Sequence, residues 1–479
     1  METKHFILYK KLYDYISDIG FRCVGEEKRV QGTVRSFRVQ SGIIFVELFD
    51  SSTSAVLQLI SEDAPIVRQL DGSISNGASL FVKGVVRQHE RRAEQVELII
   101  TEILHVGSVY DPKRCILNSF TTLKNLRNHR LDWGKTRTGH AVLRISAGVT
   151  RALADAFHAM GFGQYRVNSL TISDCEGAGE MFHVSSNIGG GNFPLLADGS
   201  VDWSKDFFGQ KVGLTVSQQW GLELYVQSED AAFTFGTSWR AEKSDTNRHA
   251  AEFGHVEFEK SWASLEDLMN INESLVKCVV DYVLKNHMVD LEELNKKVSV
   301  GVIDRLKGFL EKPFVRISYN AAIELIEKHG EHIRSKFCQT LLPVWGDDLG
   351  SACERYIADV VYEQPVFIFN YPKTLKSFYM KQNDDGQTVQ GCDLIMNGVG
   401  ELFGSSVRES DYDKLVLAAK ERNMNLEPIQ WYLDMRRNGY KPSAGAGMGF
   451  ERLLMAVTGI DNLRDVGLFP LCFNEKPKF

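Results

Sequence analysis

The stretch Ser443-Ala-Gly-Ala-Gly-Met-Gly-Phe-Glu-Arg452 has glycine at every second position, and an arginine follows three residues after the last glycine. Alternating glycines on a strand let a flat ligand lie against bare backbone, and an arginine in the first turn of the next helix can bind phosphate. A dinucleotide-binding fingerprint would require glycine at position 450, where this chain has Phe450. The stretch therefore predicts a strand and a helix beside a phosphate-bearing ligand, but not a Rossmann fold.

A second segment, far upstream, is also rich in cations. Arg240-Ala-Glu242 is followed by Arg248-His249 and by Glu252-Phe253. This segment resembles motif 2 of the class II aminoacyl-tRNA synthetases, and the glycine stretch resembles their motif 3. The resemblance implies an α/β (α+β) fold whose catalytic domain is built on an antiparallel sheet flanked by helices.

The 479 residues are 43% hydrophobic and 24% charged, which is typical of a soluble globular protein with several domains. The longest apolar runs are too short to cross a bilayer, and the N-terminus lacks a signal or transit pattern. Eight cysteines include no Cys-x-x-Cys pair, which disfavours structural zinc and a disulfide scaffold. The net charge of −7 disfavours a general polyanion-binding protein. We expect a cytoplasmic protein with no membrane or DNA partner.

Residues 28 to 106 contain five short apolar or alternating runs, which are typical of strands. Five strands in so short a segment favour a small closed barrel of the OB-fold class over a sandwich. On the face of such a barrel Phe45 can stack a base, although an isolated phenylalanine is more often a core residue. The runs are Arg29–Arg38, Ile43–Phe49, Ala55–Ser61, Ser79–Arg87 and Glu94–Ile103.

The stretch 109–137 follows the barrel and has seven Lys and Arg residues against two Asp residues, a net charge of +5. Two explanations of this charge stay open: a hinge that contacts nucleic acid, or a linker that is simply solvated. Apolar residues at helical spacing from Ala141 to Met160 predict a long amphipathic helix that ends at Gly161. We divide the chain into a barrel domain (1–108), a basic hinge (109–137) and a catalytic domain (138–479), with a helical insertion at about 262–330.

Seven segments resemble the asparaginyl-tRNA synthetases, in the same order along the chain. The similarity covers essentially all of the chain after residue 28. Several unrelated segments of this length do not coincide by chance, so the chain is identified as a member of that family. The segments are Ser173–Phe182, Leu214–Gln219, Trp239–Phe253, Trp345–Gly350, Tyr371–Lys373, Phe378–Met380 and Thr458–Val466.

The resemblance implies an activity and its partners. Members of this family use ATP and Mg²⁺ to convert L-asparagine to an adenylate and transfer the aminoacyl group to tRNA(Asn). Attack on the α-phosphorus builds charge on phosphate oxygens, which requires arginines and metal more than a base. By the same resemblance we expect a homodimer whose N-terminal barrel binds the anticodon through Phe45, Gln58 and Glu97.

The motif positions also imply roles in the ATP site. Arg240 would hold the α-phosphate and the substrate carboxylate, and Arg452 would reach the γ-phosphate, so these two are the expected catalytic residues. Asp393 and Glu401 match the Mg²⁺ carboxylates, and oxygen ligands are those that Mg²⁺ prefers. The full set expected to bind ATP is Arg240, Glu242, Arg248, His249, Phe253, Glu401, Gly449 and Arg452.

The amino-acid pocket is implied by four matching positions. Glu176 and Gln219 match the contacts to the ammonium group, and Arg408 matches the contact to the substrate side chain. Glu257 lies on the next strand and is expected to face the same pocket. Aspartyl enzymes carry a lysine where this chain has Leu222. A buried carboxylate without that second cation would be penalised by several kcal/mol, whereas an amide needs no cation and can donate to Glu257. Asparagine is therefore favoured over aspartate.

The chain departs from the family pattern at positions that bear on specificity and packing. They are Asn168 for proline, Gln218 for glycine, Val407 for glutamine and Ser443 for histidine. Three alternative functions stay open. The first is an aspartyl enzyme, either strict or relaxed enough to charge both tRNAs. The second is a paralogue that makes free asparagine without tRNA, and the third is a non-catalytic tRNA-binding protein.

Overall fold

The structure is a computed structural model that describes residues 12–114, 116–118, 122–175, 181–187, 194–337 and 341–475. The chain forms two compact units. The first runs to Ile145 and includes His287–Lys297, and the second comprises Ser146–Asn286 and the chain from Val298 onward. The limits at residues 108 and 137 that the sequence predicts for a barrel domain and a hinge stay predictions.

A closed five-stranded barrel forms the centre of the first unit. Its strands are β1 (Glu27–Gln40), β2 (Ile43–Phe49), β3 (Leu57–Ser61), β4 (Ser79–Gln88) and β5 (Val96–Gly107), in the spatial order β1-β2-β3-β5-β4. Side chains alternate across a strand, so every second apolar residue points inward. Val30, Val34, Ile44 and Val46 are fully buried in this way. The predicted barrel of OB-fold type is confirmed.

A short helix that the sequence patterns did not predict, α1 (Ala64–Asp71), connects β3 to β4. Its N-terminus is capped by Asp63, whose carboxylate accepts a hydrogen bond from the N–H of Ile66 at 3.2 Å. The helix buries Val67 and Leu70. A segment this short does not repeat the helical period often enough to be recognised from sequence.

Three helices follow the barrel: α2 (Leu123–Leu126), α3 (Arg130–Trp133) and α4 (Arg137–Ala159). The long helix α4 is the one predicted from the apolar spacing, and it begins a turn earlier than Ala141. Val142, Ile145, Val149 and Leu153 on its apolar stripe are all fully buried. The helical period therefore correctly predicted both the helix and its buried face.

The second unit is built on an eight-stranded sheet in the order β12-β13-β14-β15-β16-β11-β10-β6, beside a small sheet in the order β7-β9-β8. The large sheet is antiparallel through its centre and parallel at each edge. The strands are β6 (Gly163–Gln164), β7 (Leu170–Thr171), β8 (His183–Val184), β9 (Val212–Leu214), β10 (Ala231–Trp239), β11 (Glu252–Ser261), β12 (Val315–Ser318), β13 (Val366–Phe369), β14 (Gly391–Met396), β15 (Gly400–Val407) and β16 (Ser443–Gly449). The predicted fold class is confirmed.

The remaining helices are α5 (Gln219–Tyr225), α6 (Leu265–Asn286), α7 (Met288–Lys297), α8 (Val302–Glu311), α9 (Tyr319–Lys328), α10 (Gly330–Phe337), α11 (Gly350–Tyr356), α12 (Tyr412–Glu421), α13 (Gln430–Asp434) and α14 (Phe450–Thr458). Helix α14 starts directly at the end of β16. It stops at Gly459, whose φ of +73° is the left-handed conformation that glycine adopts without strain. Within the described ranges, no helix is long and apolar enough to cross a membrane.

Candidate active site

Strand β16 lies between β11 and β15, and its alternate glycines face polar side chains of β11. In the register of the two strands Gly445 is paired with Glu259, Gly447 with Glu257 and Gly449 with His255. A Cβ at Gly445 would clash with the Glu259 carboxylate, and a Cβ at Gly447 would lie 2.6 Å from Nε2 of His255. The glycine spacing thus makes room for a row of polar groups on the neighbouring strand.

The first of two adjoining cavities, here called the arginine cavity, has a volume of about 280 Å³. It lies where β11, β16 and the first turn of α14 meet. All the residues expected to bind ATP line it: Arg240, Glu242, Arg248, His249, Phe253, Glu401, Gly449 and Arg452. The structure therefore brings these positions together around one space.

Three arginines converge on this cavity. Nη1 of Arg452 donates to the carbonyl oxygen of Glu401 at 2.9 Å, and the guanidinium carbon of Arg240 lies 5.6 Å from the ring centroid of Phe253. Burial and the nearby charge of Arg452 lower the pKa of Arg248. Positive charges held this close repel one another, and a bound anion reduces that repulsion. A polyphosphate is an anion that arginines bind well.

Two histidines stand beside the arginines. Burial, followed by the charge of Arg452, lowers the pKa of His249. His255 lies 2.8 Å from the hydroxyl of Ser238 through Nδ1, and burial, with Arg240 and Arg452, lowers its pKa to about 3. His255 is therefore neutral at neutral pH. The sequence analysis missed this residue, although the alternation of His255 with two glutamates on one strand was a signal for it.

The second cavity, here called the acidic cavity, has a volume of about 270 Å³. Both cavities are lined by Arg240, His255, Glu401 and Gly447. Gln219, Glu257, Arg408 and Asp393, which were expected to bind the amino acid or the metal, line the acidic cavity. Glu176 lies outside the described residues. Arg240 therefore lies on the wall that the two cavities share.

Glu257 is almost fully buried on the wall of the acidic cavity. Its carboxylate accepts hydrogen bonds from the hydroxyl of Ser217 and from the N–H of Gln218 at 2.8 Å. Burial raises its pKa to about 7. The side chain of Gln218 donates from Nε2 to the carbonyl of Thr237 at 2.7 Å and does not line the cavity. The departure at position 218 therefore does not change the cavity wall directly.

Arg408 also lines the acidic cavity and is held by a carboxylate that the sequence patterns did not predict. Its Nη2 donates to Oε2 of Glu259 at 2.7 Å, and its Nη1 donates to Oγ of Ser406 at 2.7 Å. Burial would lower the pKa of Arg408, but Glu259 raises it above its usual value. The guanidinium is thus a charged group in a fixed orientation.

Asp393 on β14 and Glu401 on β15 approach the same point. A Cβ at Gly404 would lie 3.3 Å from Oε1 of Glu401 and 3.8 Å from Oδ1 of Asp393. Lys376, another residue that the sequence analysis missed, places its ammonium 2.5 Å from Oδ2 of Asp393. Two converging carboxylates are a ligand set suited to Mg²⁺ together with substrate phosphates.

The barrel presents the three residues predicted to contact an anticodon on adjacent strands. Phe45 is half-buried, and the guanidinium carbon of Arg38 lies 4.9 Å from its ring centroid. Gln58 donates from Nε2 to Oε2 of Glu97 at 2.7 Å, and Arg87 donates from Nε to Oε1 of the same carboxylate at 2.7 Å. Glu97 is buried, and both of its carboxylate oxygens accept these hydrogen bonds. Contact of the three residues with an anticodon stays a prediction.

Comparison with known proteins shows the family of this chain. The family model described as "tRNA synthetases class II (D, K and N)" matches residues 122–472. Asparagine–tRNA ligase from Porphyromonas gingivalis strain W83 is 38% identical over 449 residues, which cover 93% of this chain and 94% of that protein. The chloroplastic/mitochondrial asparagine–tRNA ligase of Arabidopsis thaliana is 39% identical over 467 residues, covering 95% of this chain and 81% of that protein.

A solved structure has the same fold. The crystal structure of asparaginyl-tRNA synthetase from Pyrococcus horikoshii, complexed with asparaginyl-adenylate, superimposes with a TM-score of 0.80 at 26% identity. The similarity covers 97% of this chain and 99% of that one. The chain therefore belongs to the class II tRNA synthetases and, within them, to the asparagine–tRNA ligase family.

Proposed function

We propose that this protein activates L-asparagine with ATP to asparaginyl-adenylate and transfers the asparaginyl group to tRNA(Asn). The observation that carries the proposal is the pair of adjoining cavities. One gathers three arginines for a polyphosphate, the other gathers polar groups for an amino acid, and Arg240 lines both. The relatives named asparagine–tRNA ligase and the neighbour that holds asparaginyl-adenylate support the choice of substrate.

The activation step follows from this placement. A carboxylate oxygen of asparagine forms a bond to the α-phosphorus of ATP, the bond to the bridging oxygen breaks, and pyrophosphate leaves with that electron pair. Arg240, on the shared wall, neutralises charge that builds on the α-phosphate oxygens. Arg248 and Arg452 bind the departing phosphates. Phe253 lies on the wall of the arginine cavity and offers a face on which adenine stacks.

Asp393 and Glu401 are the residues that would hold Mg²⁺. Their oxygens converge beside Gly404, and both carboxylates line the acidic cavity. When bound there, the ion would neutralise phosphate charge. Lys376 is the cation near Asp393 in the structure, and it keeps that carboxylate paired.

The transfer step requires parts of the chain that bind tRNA. We propose that residues 1–108 bind the anticodon through Phe45, Gln58 and Glu97, and that the basic stretch 109–137 contacts the tRNA backbone. Residues 138–479 form the catalytic part, with the helical insertion at about 262–330. A homodimer is expected from the resemblance to class II enzymes, and the cytoplasm is the expected site of action.

An aspartyl enzyme is the competing function, and one observation relates to it. Lys376 lines the acidic cavity and is a cation that the sequence comparison at Leu222 did not anticipate. Its ammonium donates to Oδ2 of Asp393 at 2.5 Å, so its charge is paired within the protein. A Mg²⁺ ion at Asp393 would compete for that carboxylate, so charging assays with both amino acids decide between the two functions.

Aminoacylation of defined transcripts tests the proposal. Purified protein is incubated with ATP, Mg²⁺ and radiolabelled asparagine or aspartate, and acid-precipitable counts on tRNA(Asn) and tRNA(Asp) are measured. We expect asparagine on tRNA(Asn) alone. Aspartate on tRNA(Asp) at a comparable rate would replace the proposal with the aspartyl function, and no charging of either tRNA would contradict it.

A further inference from the structure

The connection between β10 and β11, residues 240–251, is here called the β10–β11 loop. It contains no helix or strand, yet Glu242, Arg248 and His249 on it line the arginine cavity. Residues 245–247 at its tip are exposed. An exposed loop of this length keeps one conformation only when other parts of the chain hold it.

Arg464 is the side chain that holds the tip of this loop. Its Nη1 donates to the carbonyl oxygen of Thr246 at 2.7 Å, and its Nη2 donates to Oδ1 of Asp245 at 2.8 Å. Its Nε donates to Oε1 of Glu475 at 2.6 Å. Arg464 is 5% exposed. One buried guanidinium therefore joins the loop to the C-terminal part of the chain, and carboxylates from both segments pair with its charge.

Two further hydrogen bonds join the loop to the segment that carries Arg464. The backbone N–H of Leu463 donates to the carbonyl oxygen of Asn247 at 2.9 Å, and Nδ2 of Asn247 donates to the carbonyl oxygen of Asp461 at 2.6 Å. Leu463 itself lines the arginine cavity. The segment follows α14, whose first turn carries Arg452. These contacts therefore connect the loop with the end of the helix that carries Arg452, and both elements form walls of the same cavity.

Thr246 connects Arg464 to two positions expected to bind ATP. Its Oγ1 lies 2.5 Å from Nδ1 of His249 and accepts a hydrogen bond from the backbone N–H of Arg248 at 3.3 Å. The hydroxyl of Ser244 lies 3.3 Å from the same ring nitrogen of His249. Nδ1 is therefore turned toward the loop, which leaves Nε2 to contact a ligand.

We infer that Arg464 is a positioning residue for the outer phosphates of ATP. By holding Thr246, it fixes Arg248 and His249 on the wall of the arginine cavity. Arg464 lines neither cavity, so it acts through the loop and not by touching the substrate. The inference rests on the proposed function, because it concerns the ATP of that reaction.

Arg464→Lys tests this role, because lysine keeps the positive charge and loses the planar fork that binds several groups at once. ATP and AMP are each titrated calorimetrically into wild type and variant in the presence of Mg²⁺. We expect the Kd for ATP to rise about tenfold and that for AMP to change less than about twofold, since AMP lacks the outer phosphates. Equal weakening of both nucleotides, or an unchanged Kd for ATP, would overturn the inference.

ATP–pyrophosphate exchange gives the same test under turnover. In Arg464→Lys the KM for ATP should rise about tenfold, while the KM for asparagine stays within about threefold. Arg305→Lys is the matched control, because Nη2 of Arg305 donates to the carbonyl oxygen of Ala456 in α14 at 3.0 Å and Arg305 lines neither cavity. An equal rise of the KM for ATP in both lysine variants would contradict the role of Arg464.

Thr246→Val removes the hydroxyl that contacts Arg248 and His249, keeps the carbonyl oxygen that binds Arg464, and decides the question if Arg464→Lys does not fold. We expect the KM for ATP to rise about three- to tenfold, and Thr246→Ser to keep it within about twofold of wild type. In the double variant the rise should be smaller than the product of the two single rises, because both changes act on the same contacts. A rise equal to that product would show that Arg464 does not act through Thr246.

The proposed function and this inference fail separately, because the titrations need no amino acid. A wild-type protein that supports no exchange with asparagine would refute the proposed function. Exchange by wild type together with unchanged ATP binding in Arg464→Lys would refute the inference alone.

Discussion

The ammonium of Lys376 lies 2.5 Å from Oδ2 of Asp393, so the carboxylate expected to bind Mg²⁺ already has a cationic partner. The same ammonium lies 3.9 Å from the ring centroid of Tyr371, and Lys376 lines the acidic cavity. A divalent ion at Asp393 would share that carboxylate with the lysine or displace it. Lys376 therefore opposes metal binding at this site by charge repulsion.

Lys376→Met should tighten metal binding. Without the ammonium, Asp393 and Glu401 are left to the metal alone, so we expect the Mg²⁺ concentration for half-maximal exchange to fall at least threefold. Mn²⁺ affinity, measured by electron paramagnetic resonance on the nucleotide-free protein, should rise in parallel. Lys373→Met, on the same segment but outside the lining of both cavities, is the control. A higher Mg²⁺ requirement in Lys376→Met would contradict this role.

Arg452→Lys should slow adenylate formation. The guanidinium is oriented by its hydrogen bond to the carbonyl of Glu401, and a lysine keeps the charge but loses that fixed geometry. We expect kcat for exchange to fall about a hundredfold, the scale of losing one preorganised donor. The KM for asparagine should stay within threefold. Arg151→Ala, which removes an exposed ion pair with Asp155, should leave exchange unchanged. Loss confined to the KM for asparagine would contradict the assignment of Arg452 to phosphate.

Phe45→Ala should separate tRNA charging from amino-acid activation. A base stacked on the ring contributes about 1–3 kcal/mol, so kcat/KM for tRNA(Asn) should fall by roughly one to two orders of magnitude. Exchange without tRNA should be unaffected, because Phe45 belongs to the barrel unit and lines neither cavity. A parallel loss of exchange and charging would show that the barrel does not act on tRNA alone.

The buried His255 predicts a pH dependence of stability. Its pKa is lowered from 6.5 to about 3, so between these values the unfolded chain binds a proton that the folded chain does not. The free energy of unfolding should therefore fall with decreasing pH below 6.5, by up to about 1.4 kcal/mol per pH unit from this group. His255→Gln lacks this contribution. The free energy of unfolding of both proteins is measured by urea unfolding at pH 7 and at pH 5. Between pH 7 and pH 5 it should fall more for wild type than for His255→Gln. A difference that does not change with pH would contradict the buried neutral state.

Local patterns in the sequence predicted most of the architecture. The five runs predicted the barrel strands, and the apolar spacing before Gly161 predicted α4. Helix α1 was missed because it spans too few turns to show a period. The order of the large sheet could not be derived from periodicity, because the pairing of strands distant in sequence leaves no local signal.

In the site, too, local motifs could be predicted from the sequence, whereas contacts between distant segments could not. The motif arginines and glycines could be recognised, and the structure places them around the arginine cavity. Glu259 and Lys376 could not be assigned, because their roles come from contacts with Arg408 and Asp393 that only the folded chain creates. The glycine spacing itself gained a second explanation. It accommodates the side chains of His255, Glu257 and Glu259 on β11 as well as any ligand.

Asparagine activation is tested most directly by ATP–pyrophosphate exchange with the full chain, run in parallel with asparagine, aspartate and glutamine. We predict exchange with asparagine at a kcat/KM at least a hundredfold above that for aspartate, and none with glutamine. Equal exchange with asparagine and aspartate, or no exchange with any of the three, would contradict the assignment.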